Sequence, residues 1–304
     1  MIKRDLWGGL APSDKKIEKP DLAIVGIPYD GSCCYRKGAA FAPAKLRDLS
    51  TKSSAVTEIG KEISKIKVVD LGDIEIELEL SSFFSRAEGE IAKITSSAGF
   101  TIIIGGDHSI TIPAFRGFAG IKDDEVGIIY LDAHPDLWEE YDKSSYSHAC
   151  TLRRMLEEKN TSPEHTIIIG ARSFNPAEMD YIRETGLLMI PAKDCAKMGV
   201  EEVAAWTVTR FSGINRIYLS LDIDFLDPAF APGTGIPVAG GMSTRFLLNL
   251  LEILFEKLPI KALDLVEISP PLDNADITGF LGVKIIFEVM GFLSQKRKRK
   301  GSGK

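Results

Sequence analysis

Short apolar, β-branched runs recur along the chain, and each has the length of one β-strand. Their near-continuous hydrophobicity is typical of strands in a parallel sheet that is covered on both faces. Eight such strands are predicted, at Leu22–Gly26, Ile66–Leu71, Thr101–Gly105, Val126–Asp132, Thr166–Gly170, Leu187–Ile190, Arg216–Asp222 and Ala262–Glu267.

Segments with helical periodicity separate these strands. The clearest are Phe83–Ser97, Ala149–Glu158, Val200–Phe211 and Thr244–Lys257, and Ser243 is placed to cap the last one. Alternation of strands and helices indicates βαβ units and a mostly parallel sheet. The pattern predicts an open or doubly wound α/β domain, although periodicity alone leaves a barrel open.

The composition narrows the class of protein. The 304 residues are 44% hydrophobic and 26% charged, and no linker-like stretch divides them, so a single domain over residues 1–304 is predicted. A net charge of −6 argues against a nucleic-acid binder. No apolar stretch predicts a membrane span or a secretion signal. The basic run Gln295–Lys304 is interpreted as a disordered terminus without a function.

Cysteine usage indicates the compartment. The chain has four cysteines and no C-x-x-C pair, and two of the four are adjacent in sequence: Cys33, Cys34, Cys150 and Cys195. Reduced thiols in a cytoplasmic protein are therefore expected.

Acidic and histidine residues cluster where four of the predicted strands end. Open α/β sheets bind ligands outside the carboxyl ends of their strands, so residues far apart in sequence are expected to meet there. The clusters are Asp107-His108 after the third strand, Asp132-Ala-His-Pro-Asp136 after the fourth, Asp222-Ile-Asp224 after the seventh and Glu267 at the end of the eighth.

Alternating positions within these clusters predict a metal site. Asp132, His134 and Asp136 share one side of an extended chain, and Asp222 and Asp224 repeat the spacing. With His108, the set contains four carboxylates and two imidazoles. Four carboxylates crowded without cations repel one another, whereas two divalent cations balance their charge.

The absence of thiolates from the set favours Mn(II), with Zn(II), Co(II) or Fe(II) as alternatives. Two such ions about 3.5–4 Å apart can share a water molecule and lower its pKa toward neutrality. A single histidine is more often structural, and a single Asp at a strand end is more often a turn former or a helix cap. The metal interpretation rests on the constellation and not on any one member.

Two further features are candidates for the same site. His148 follows the second cluster and is a candidate general acid, because expulsion of an amine needs a proton. His165, which precedes a strand, is interpreted as a surface residue. The glycine-rich segment Ala231–Gly241 lacks dinucleotide and P-loop spacing, so it is interpreted as an ordered loop that lets the backbone approach a ligand.

Three motifs resemble the metal-binding motifs of the arginase/agmatinase (ureohydrolase) family. They are Gly105-Gly-Asp-His-Ser109, Asp132-Ala-His-Pro-Asp136 and Ser220-Leu-Asp-Ile-Asp-Phe-Leu-Asp-Pro228, and the similarity runs from about Asp21 to Leu293. The resemblance implies a three-layer α/β/α fold with an eight-stranded parallel sheet, two Mn(II) ions and hydrolysis of a guanidino group to urea.

The resemblance also assigns residues. The metal ligands fall on the six residues that the charge argument selects: His108, Asp132, His134, Asp136, Asp222 and Asp224. The proton-shuttling histidine matches His148, and the glutamate that contacts the guanidinium matches Glu267, where charge-assisted bonds suit a planar cation. Asp136 is assigned a role in stabilising the tetrahedral intermediate. Thr234 in the glycine-rich loop and Asn175 after Gly170-Ala-Arg are assigned to substrate binding.

The substrate within the family is less constrained. Asn175 stands where arginases have Asp, which disfavours arginine, while the Ala231–Gly241 loop and the Ser147-His-Ala segment look more like agmatinases. Agmatine, a small cationic guanidino compound, is therefore the expected substrate, in polyamine biosynthesis. Aminopropylagmatine, guanidinobutyrate, formiminoglutamate and arginine stay open as alternatives. A homo-oligomer, trimer or hexamer, is implied by the family.

Two alternatives belong to other classes. A two-metal phosphoesterase requires a basic phosphate clamp, and none is recognisable near the ligands. A non-catalytic binding relative is expected to have lost a ligand, and all six are present.

Overall fold

One parallel sheet forms the centre of the protein. The computed structural model describes residues 5–11 and 18–301, with side chains described as far as Lys296. The eight strands are Leu22–Ile27 (β1), Val68–Asp73 (β2), Thr101–Gly105 (β3), Val126–Leu131 (β4), Thr166–Ile169 (β5), Leu188–Ile190 (β6), Arg216–Asp222 (β7) and Ile260–Val266 (β8). Their order is β2-β1-β3-β8-β7-β4-β5-β6, and every pair is parallel.

Helices cover both faces of this sheet. They are Ala42–Ser50 (α1), Leu80–Ser97 (α2), Thr111–Ala119 (α3), Thr151–Leu156 (α4), Pro176–Thr185 (α5), Ala192–Met198 (α6), Val200–Arg210 (α7), Thr244–Lys257 (α8) and Ile277–Gly301 (α9). Side chains of α1 and α6–α9 pack into the core on one face, and those of α2–α5 pack into the core on the other. The predicted three-layer α/β/α fold is confirmed, and the open sheet with edge strands β2 and β6 excludes a barrel.

The strand prediction is accurate because continuous apolar runs become buried strands. Ile102 and Ile104 of β3 enter one core while Ile103 enters the other, so neither face can be polar. β3 and β7 have the predicted bounds, and the remaining strands differ from the prediction by one or two residues at one or both ends. Ser243 caps α8 as predicted, since its hydroxyl accepts a hydrogen bond from the Phe246 amide at 3.1 Å.

Five helices are not among the segments that the sequence singles out: α1, α3, α5, α6 and α9. In α3 every residue except Arg116 is buried, so no polar face marks the helical period. α9 is also mainly apolar before its basic end, with Lys284 and Glu288 as the charged residues of its first five turns. Its apolar part, Ile277–Lys296, is long enough to cross a bilayer, but 67% of its most apolar window is buried inside the protein. It packs against α1 and α8 as a core helix.

The basic run Gln295–Lys304, interpreted from the sequence as a disordered terminus, continues α9 in the part that the structure describes. α9 continues through Gly301, and only residues 302–304 of the run lie outside the described residues. Lysine, arginine and glutamine are good helix formers, and a helix already nucleated by packing extends easily through them. The side chain of Lys296 donates to the Leu258 carbonyl at 3.0 Å.

A close backbone contact fixes the loop that follows β3. The Asp107 amide donates to the Tyr29 carbonyl at 2.8 Å, and the Glu267 amide donates to the Gly106 carbonyl at 2.9 Å. A Cβ on Gly106 would lie 1.7 Å from the Tyr29 carbonyl oxygen. Glycine is therefore required here for the loop after β3 to dock between the ends of β1 and β8.

We predict that Gly106→Ala lowers the free energy of unfolding by about 1–3 kcal/mol, because the backbone must shift to admit the methyl group. Gly89→Ala is the matched control, since Gly89 occupies an exposed position of α2 and no neighbouring atom lies within 4 Å of the place where its Cβ would be. That control should be neutral or stabilising by up to about 1 kcal/mol. Urea denaturation measures both, and equal stability of the two variants would contradict the contact.

Candidate metal centre

Four adjacent strands bring the candidate site together. β3, β8, β7 and β4 are neighbours in the middle of the sheet, and their carboxyl ends share one edge. The residues that follow them are those that the sequence singles out. The structure therefore brings the six predicted ligands together: five of them line one inner cavity with Glu267, and Asp132 adjoins them behind its wall. The lining also includes His148, Thr234 and Cys33.

The first group of ligand atoms surrounds the His108 imidazole. His108 Nδ1 lies 2.9 Å from Asp132 Oδ2, 3.2 Å from Asp222 Oδ2 and 3.3 Å from Asp136 Oδ2. All four side chains are almost fully buried. His108, Asp132 and Asp136 can together offer ligand atoms to one ion.

The second group shares Asp132 with the first. His134 Nδ1 lies 3.4 Å from Asp132 Oδ1 and 3.2 Å from Asp224 Oδ2. The two oxygens of Asp132 thus face the two histidines separately, and His134, Asp132 and Asp224 can hold a second ion. A carboxylate between two groups of ligands is the arrangement that a two-metal site needs.

Neighbouring residues fix the orientation of His108. Its Nε2 lies 2.8 Å from Ser220 Oγ, which in turn donates to Asp264 Oδ1 at 2.7 Å. Because the Ser220 proton is used by Asp264, Ser220 accepts the proton of His108 Nε2. Nδ1 therefore faces the carboxylates, where it carries a proton in the metal-free protein and would offer its lone pair to a metal ion that displaces this proton.

The electrostatics show that the cluster needs positive charge. Burial, and then repulsion from Asp132, raise the pKa of Asp136 to about 8. Burial and the charges of Asp224 and Asp132 hold the pKa of Asp222 well above its usual range. Burial alone lowers the pKa of a histidine, but Asp224 and Asp132 outweigh it and raise the pKa of His134 to about 12.

The residues fit a pair of divalent cations. Asp132 Oδ2 is buried without a hydrogen bond of ordinary geometry, although it faces His108 Nδ1 at 2.9 Å, so its lone pairs are available to a cation. Nitrogen and oxygen donors without sulfur are the set that Mn(II) and similar divalent ions accept. Protons on the histidines compensate only part of the buried negative charge.

Glu267 lies beside the first group in a strained conformation. Its carboxylate accepts a hydrogen bond from the His108 amide at 2.8 Å, and burial together with Asp107 raises its pKa to about 8. Glu267 has a φ of 62° and Asp136 a φ of 51°, in the left-handed region that non-glycine residues rarely adopt. Such strain, held at two facing residues, is typical of functional sites.

His148 is anchored by the loop after β1. Its Nδ1 lies 2.7 Å from the Ser32 carbonyl and its amide donates to Ser32 Oγ at 3.0 Å. The Nδ1 proton therefore points at Ser32, which leaves Nε2 free. Burial lowers the pKa of His148, so it is neutral at pH 7 and can accept or pass a proton. His165 is partly exposed and pairs with Glu125 at 2.5 Å, far from this site.

The two residues assigned to substrate binding lie in different cavities. Thr234 is buried in the wall of the inner cavity. Asn175 lines an outer cavity of about 360 Å³ that leads to the ligands, but its side chain also caps α5. Its amide donates to Glu178 at 2.9 Å and its oxygen accepts from the Glu178 amide at 3.1 Å. Asn175 thereby positions Glu178, which faces the same cavity.

Several residues that support the site have no role assigned from the sequence. Ser220 opens one of the three motifs and Asp264 is a carboxylate inside an apolar strand, but their function depends on contacts between strands that the sequence does not show. Arg172 donates to the Asp224 carbonyl at 2.6 Å and to the Val238 carbonyl at 2.7 Å, which ties the ligand turn to the glycine-rich loop. Tyr130 donates to Asp136 at 2.7 Å from within β4. Only its spacing of two residues from Asp132 indicates that it points to the site.

Comparison with known proteins assigns the family. The model of the arginase family matches residues 20–291. The chain belongs to the arginase family. Guanidinopropionase of Pseudomonas aeruginosa is 32% identical over 284 residues, covering 91% of this chain and 88% of that protein. Agmatinase of Bacillus anthracis is 30% identical over 281 residues, covering 91% of this chain and 93% of that one.

The crystal structure of proclavaminate amidino hydrolase from Streptomyces clavuligerus superimposes with a TM-score of 0.85 at 32% identity, covering 92% of this chain and 94% of that one. The arginase-family assignment confirms the resemblance drawn from the three motifs. It identifies the chain as a hydrolase of the ureohydrolase type and replaces the phosphoesterase alternative. The relatives act on different guanidino compounds, so the family does not by itself specify the substrate.

Metal ions should stabilise this arginase-family protein more strongly at higher pH. Without metal, protonated Asp136 and Glu267 stabilise the fold fully below about pH 4, and this stabilisation is lost as pH rises to about 8. Metal ions compete with the same protons. We predict that the free energy gained from saturating Mn(II) is about 1–3 kcal/mol larger at pH 8 than at pH 6, since each tenfold gain in affinity contributes about 1.4 kcal/mol.

Thermal unfolding with and without Mn(II) measures this difference. Asp222→Asn, which removes one buried carboxylate, is the control and should reduce the stabilisation at both pH values. A Mn(II) effect that is absent in the unaltered protein, or that shrinks from pH 6 to pH 8, would contradict the assignment of the cluster.

Proposed function

We propose that the protein hydrolyses agmatine to urea and putrescine with two divalent cations, most simply Mn(II), in polyamine biosynthesis. The main support for hydrolysis is that the six candidate ligands, Glu267 and His148 come together at one inner cavity. The arginase-family assignment supports the guanidino chemistry. The choice of agmatine as the substrate rests on the residues that line the outer cavity.

The inner cavity suits the reacting group of such a substrate. A planar guanidinium seated beside Glu267 gains charge-assisted hydrogen bonds, and the cation in turn favours the ionised form of this carboxylate. Two cations held by the six ligands supply an activated water for attack on the central guanidinium carbon. Asp136, at the edge of the first group, is placed to stabilise the tetrahedral intermediate.

His148 is positioned to complete the reaction. Its Nδ1 proton is held by Ser32, so Nε2 is the nitrogen that faces the cavity and exchanges protons. Since neutral His148 carries its proton on Nδ1, Nε2 would first accept the proton that the attacking water releases. When the carbon–nitrogen bond breaks, the electron pair stays on the departing nitrogen, and Nε2 passes this proton to it, so that a neutral amine leaves. Proton transfer by a positioned histidine is the ordinary route for expelling an amine.

The outer cavity favours a cationic tail on the substrate. Three aromatic side chains, Trp138, Tyr141 and Phe174, line it together with the buried carboxylate of Glu178. Among the described residues that line this cavity there is no lysine or arginine. The primary ammonium group of agmatine can interact with aromatic faces and with the Glu178 carboxylate, which also accepts hydrogen bonds from Leu137 and Asn175. A carboxylate tail beside Glu178 would meet a like charge without a lysine or arginine to offset it.

A guanidino carboxylate is the second candidate. Guanidinopropionase and guanidinobutyrase of Pseudomonas aeruginosa are 32% and 30% identical to the chain. A neighbouring cavity contains Arg153 and Arg154 and shares Trp138, Asn175 and Glu178 with the outer cavity. Arg153 stacks on Tyr181 at 4.2 Å and Arg154 pairs with Glu157 at 2.6 Å, so both guanidinium groups already have partners.

The experiment that tests the proposal is a urea assay on the Mn(II)-loaded protein with agmatine, aminopropylagmatine, guanidinobutyrate, guanidinopropionate and arginine. We predict that kcat/KM for agmatine exceeds that for either guanidino acid at least tenfold, about 1.4 kcal/mol, because agmatine has a cationic tail where the guanidino acids have an anionic one. Chelator-treated protein is the control. Faster turnover of a guanidino acid would keep the chemistry and reject agmatine, and turnover without metal would reject the metal centre.

We predict that His148→Ala lowers kcat for the preferred substrate by about 10²–10⁴-fold with a smaller change in KM, because the general acid is lost. His165→Ala is the matched control, since His165 is a partly exposed histidine that pairs with Glu125. Steady-state kinetics on both variants measure the difference. If His148→Ala keeps kcat within twofold of the unaltered protein, His148 does not deliver the proton.

We also propose a cytoplasmic location and a homo-oligomeric assembly. All four cysteines are free in the structure, in keeping with a reducing compartment. The proposed ligand is a small molecule, and we propose neither a nucleic-acid nor a membrane partner for this acidic chain. Sedimentation of the purified protein measures the assembly directly.

A further inference from the structure

The hydroxyl of Tyr130 contacts two of the candidate ligands from beneath the metal centre. It donates to Asp136 Oδ2 at 2.7 Å and lies 3.2 Å from His108 Nδ1. The phenol ring also stacks on the His108 imidazole, with centroids 4.8 Å apart and planes within 1° of parallel. The side chain is completely buried.

The hydrogen bond of the Tyr130 hydroxyl can be assigned to one acceptor, Asp136. The phenol proton can serve only one acceptor, and the shorter distance assigns it to Asp136. Asp136 adopts a left-handed backbone conformation just beyond β4, so its position is not fixed by strand pairing. The Tyr130 ring, in contrast, lies within β4 between β7 and β5, where the sheet holds it rigidly.

The contacts are also unequal between the two groups of ligands. Both Asp136 and His108 belong to the group His108–Asp132–Asp136. The hydrogen bonds of the Tyr130 hydroxyl do not involve the group His134–Asp132–Asp224. A defect at Tyr130 should therefore affect one metal position before the other.

We propose that Tyr130 is a positioning residue that holds Asp136 and His108 in place and so selectively strengthens metal binding at the His108–Asp132–Asp136 position. This inference rests on the metal centre of the proposed function and adds a residue to it. The hydrogen bond directs the Asp136 carboxylate toward the cavity, and the stacking fixes the plane of the imidazole. Residues that orient ligands in this way commonly contribute roughly 10–100-fold to metal affinity.

Tyr130→Phe tests the hydrogen bond while keeping the aromatic ring. Mn(II) is titrated into the metal-free full-length protein, and bound metal is counted by elemental analysis and followed by electron paramagnetic resonance. We expect the unaltered protein to bind two ions with the spectrum of a coupled pair. The variant should bind one ion with unchanged affinity and the other roughly 10–100-fold more weakly, with a single-ion spectrum at intermediate Mn(II).

Three results would overturn the inference. If Tyr130→Phe binds both ions with the affinities of the unaltered protein, the hydroxyl does not position a ligand. If both affinities fall equally, the role of Tyr130 is general and not specific to one position. If the unaltered protein binds no pair of ions at all, the proposed metal centre fails with it, which distinguishes that failure from the first two results.

A second pair of variants identifies the residue through which Tyr130 acts. If Tyr130 acts through Asp136, adding Tyr130→Phe to Asp136→Asn should cost little further metal affinity, although the same change costs 10-fold or more in the unaltered protein. If Tyr130→Phe alone folds poorly, comparing Asp136→Asn with the double variant still tests the route, because a large further loss of affinity there would show that Tyr130 does not act through Asp136. Additive losses in the two backgrounds would show that Tyr130 does not act through Asp136.

Discussion

The site depends on one constraint: negative charge is buried at the carboxyl ends of the central strands. Asp132, Asp136, Asp222 and Asp224 are almost completely buried, and they lie within a few ångströms of two histidines. Carboxylates in such surroundings are costly unless cations or protons compensate them. In the absence of metal, the raised pKa values of Asp136, Asp222 and His134 indicate that bound protons compensate part of this negative charge.

Much of the surrounding structure can be understood as support for this charge. The order of strands places β3, β8, β7 and β4 side by side, so four loops deliver ligands to one edge. Ser220 and Asp264 orient His108 from below, and Arg172 ties the Asp224 turn to the glycine-rich loop. The inner cavity is thus built for one chemistry. The outer cavity, lined by aromatic rings and Glu178, is where relatives that share that chemistry can differ in substrate.

The sequence predicts the strands and the meeting of the candidate ligands at one edge of the sheet, for physical reasons that do not extend to the rest. A strand buried on both faces must be apolar throughout, and the candidate ligands are histidines and carboxylates at strand ends, so both have a distinctive residue pattern. α3 and α9 are mainly apolar and have no distinct polar face, and the basic residues after Gln295 extend α9 because the helix is already nucleated. Asp264 and Tyr130 gain their importance from neighbours on other strands, which no local pattern contains.

Anomalous diffraction from crystals of the protein grown with Mn(II) tests the central claim most directly. Two manganese peaks are expected about 3.5–4 Å apart, both in contact with Asp132, one near His108 and the other near His134. Such a pair would establish that the buried charge exists to hold two cations. A single peak, or manganese bound only away from these six side chains, would contradict the two-metal centre on which the proposed function rests.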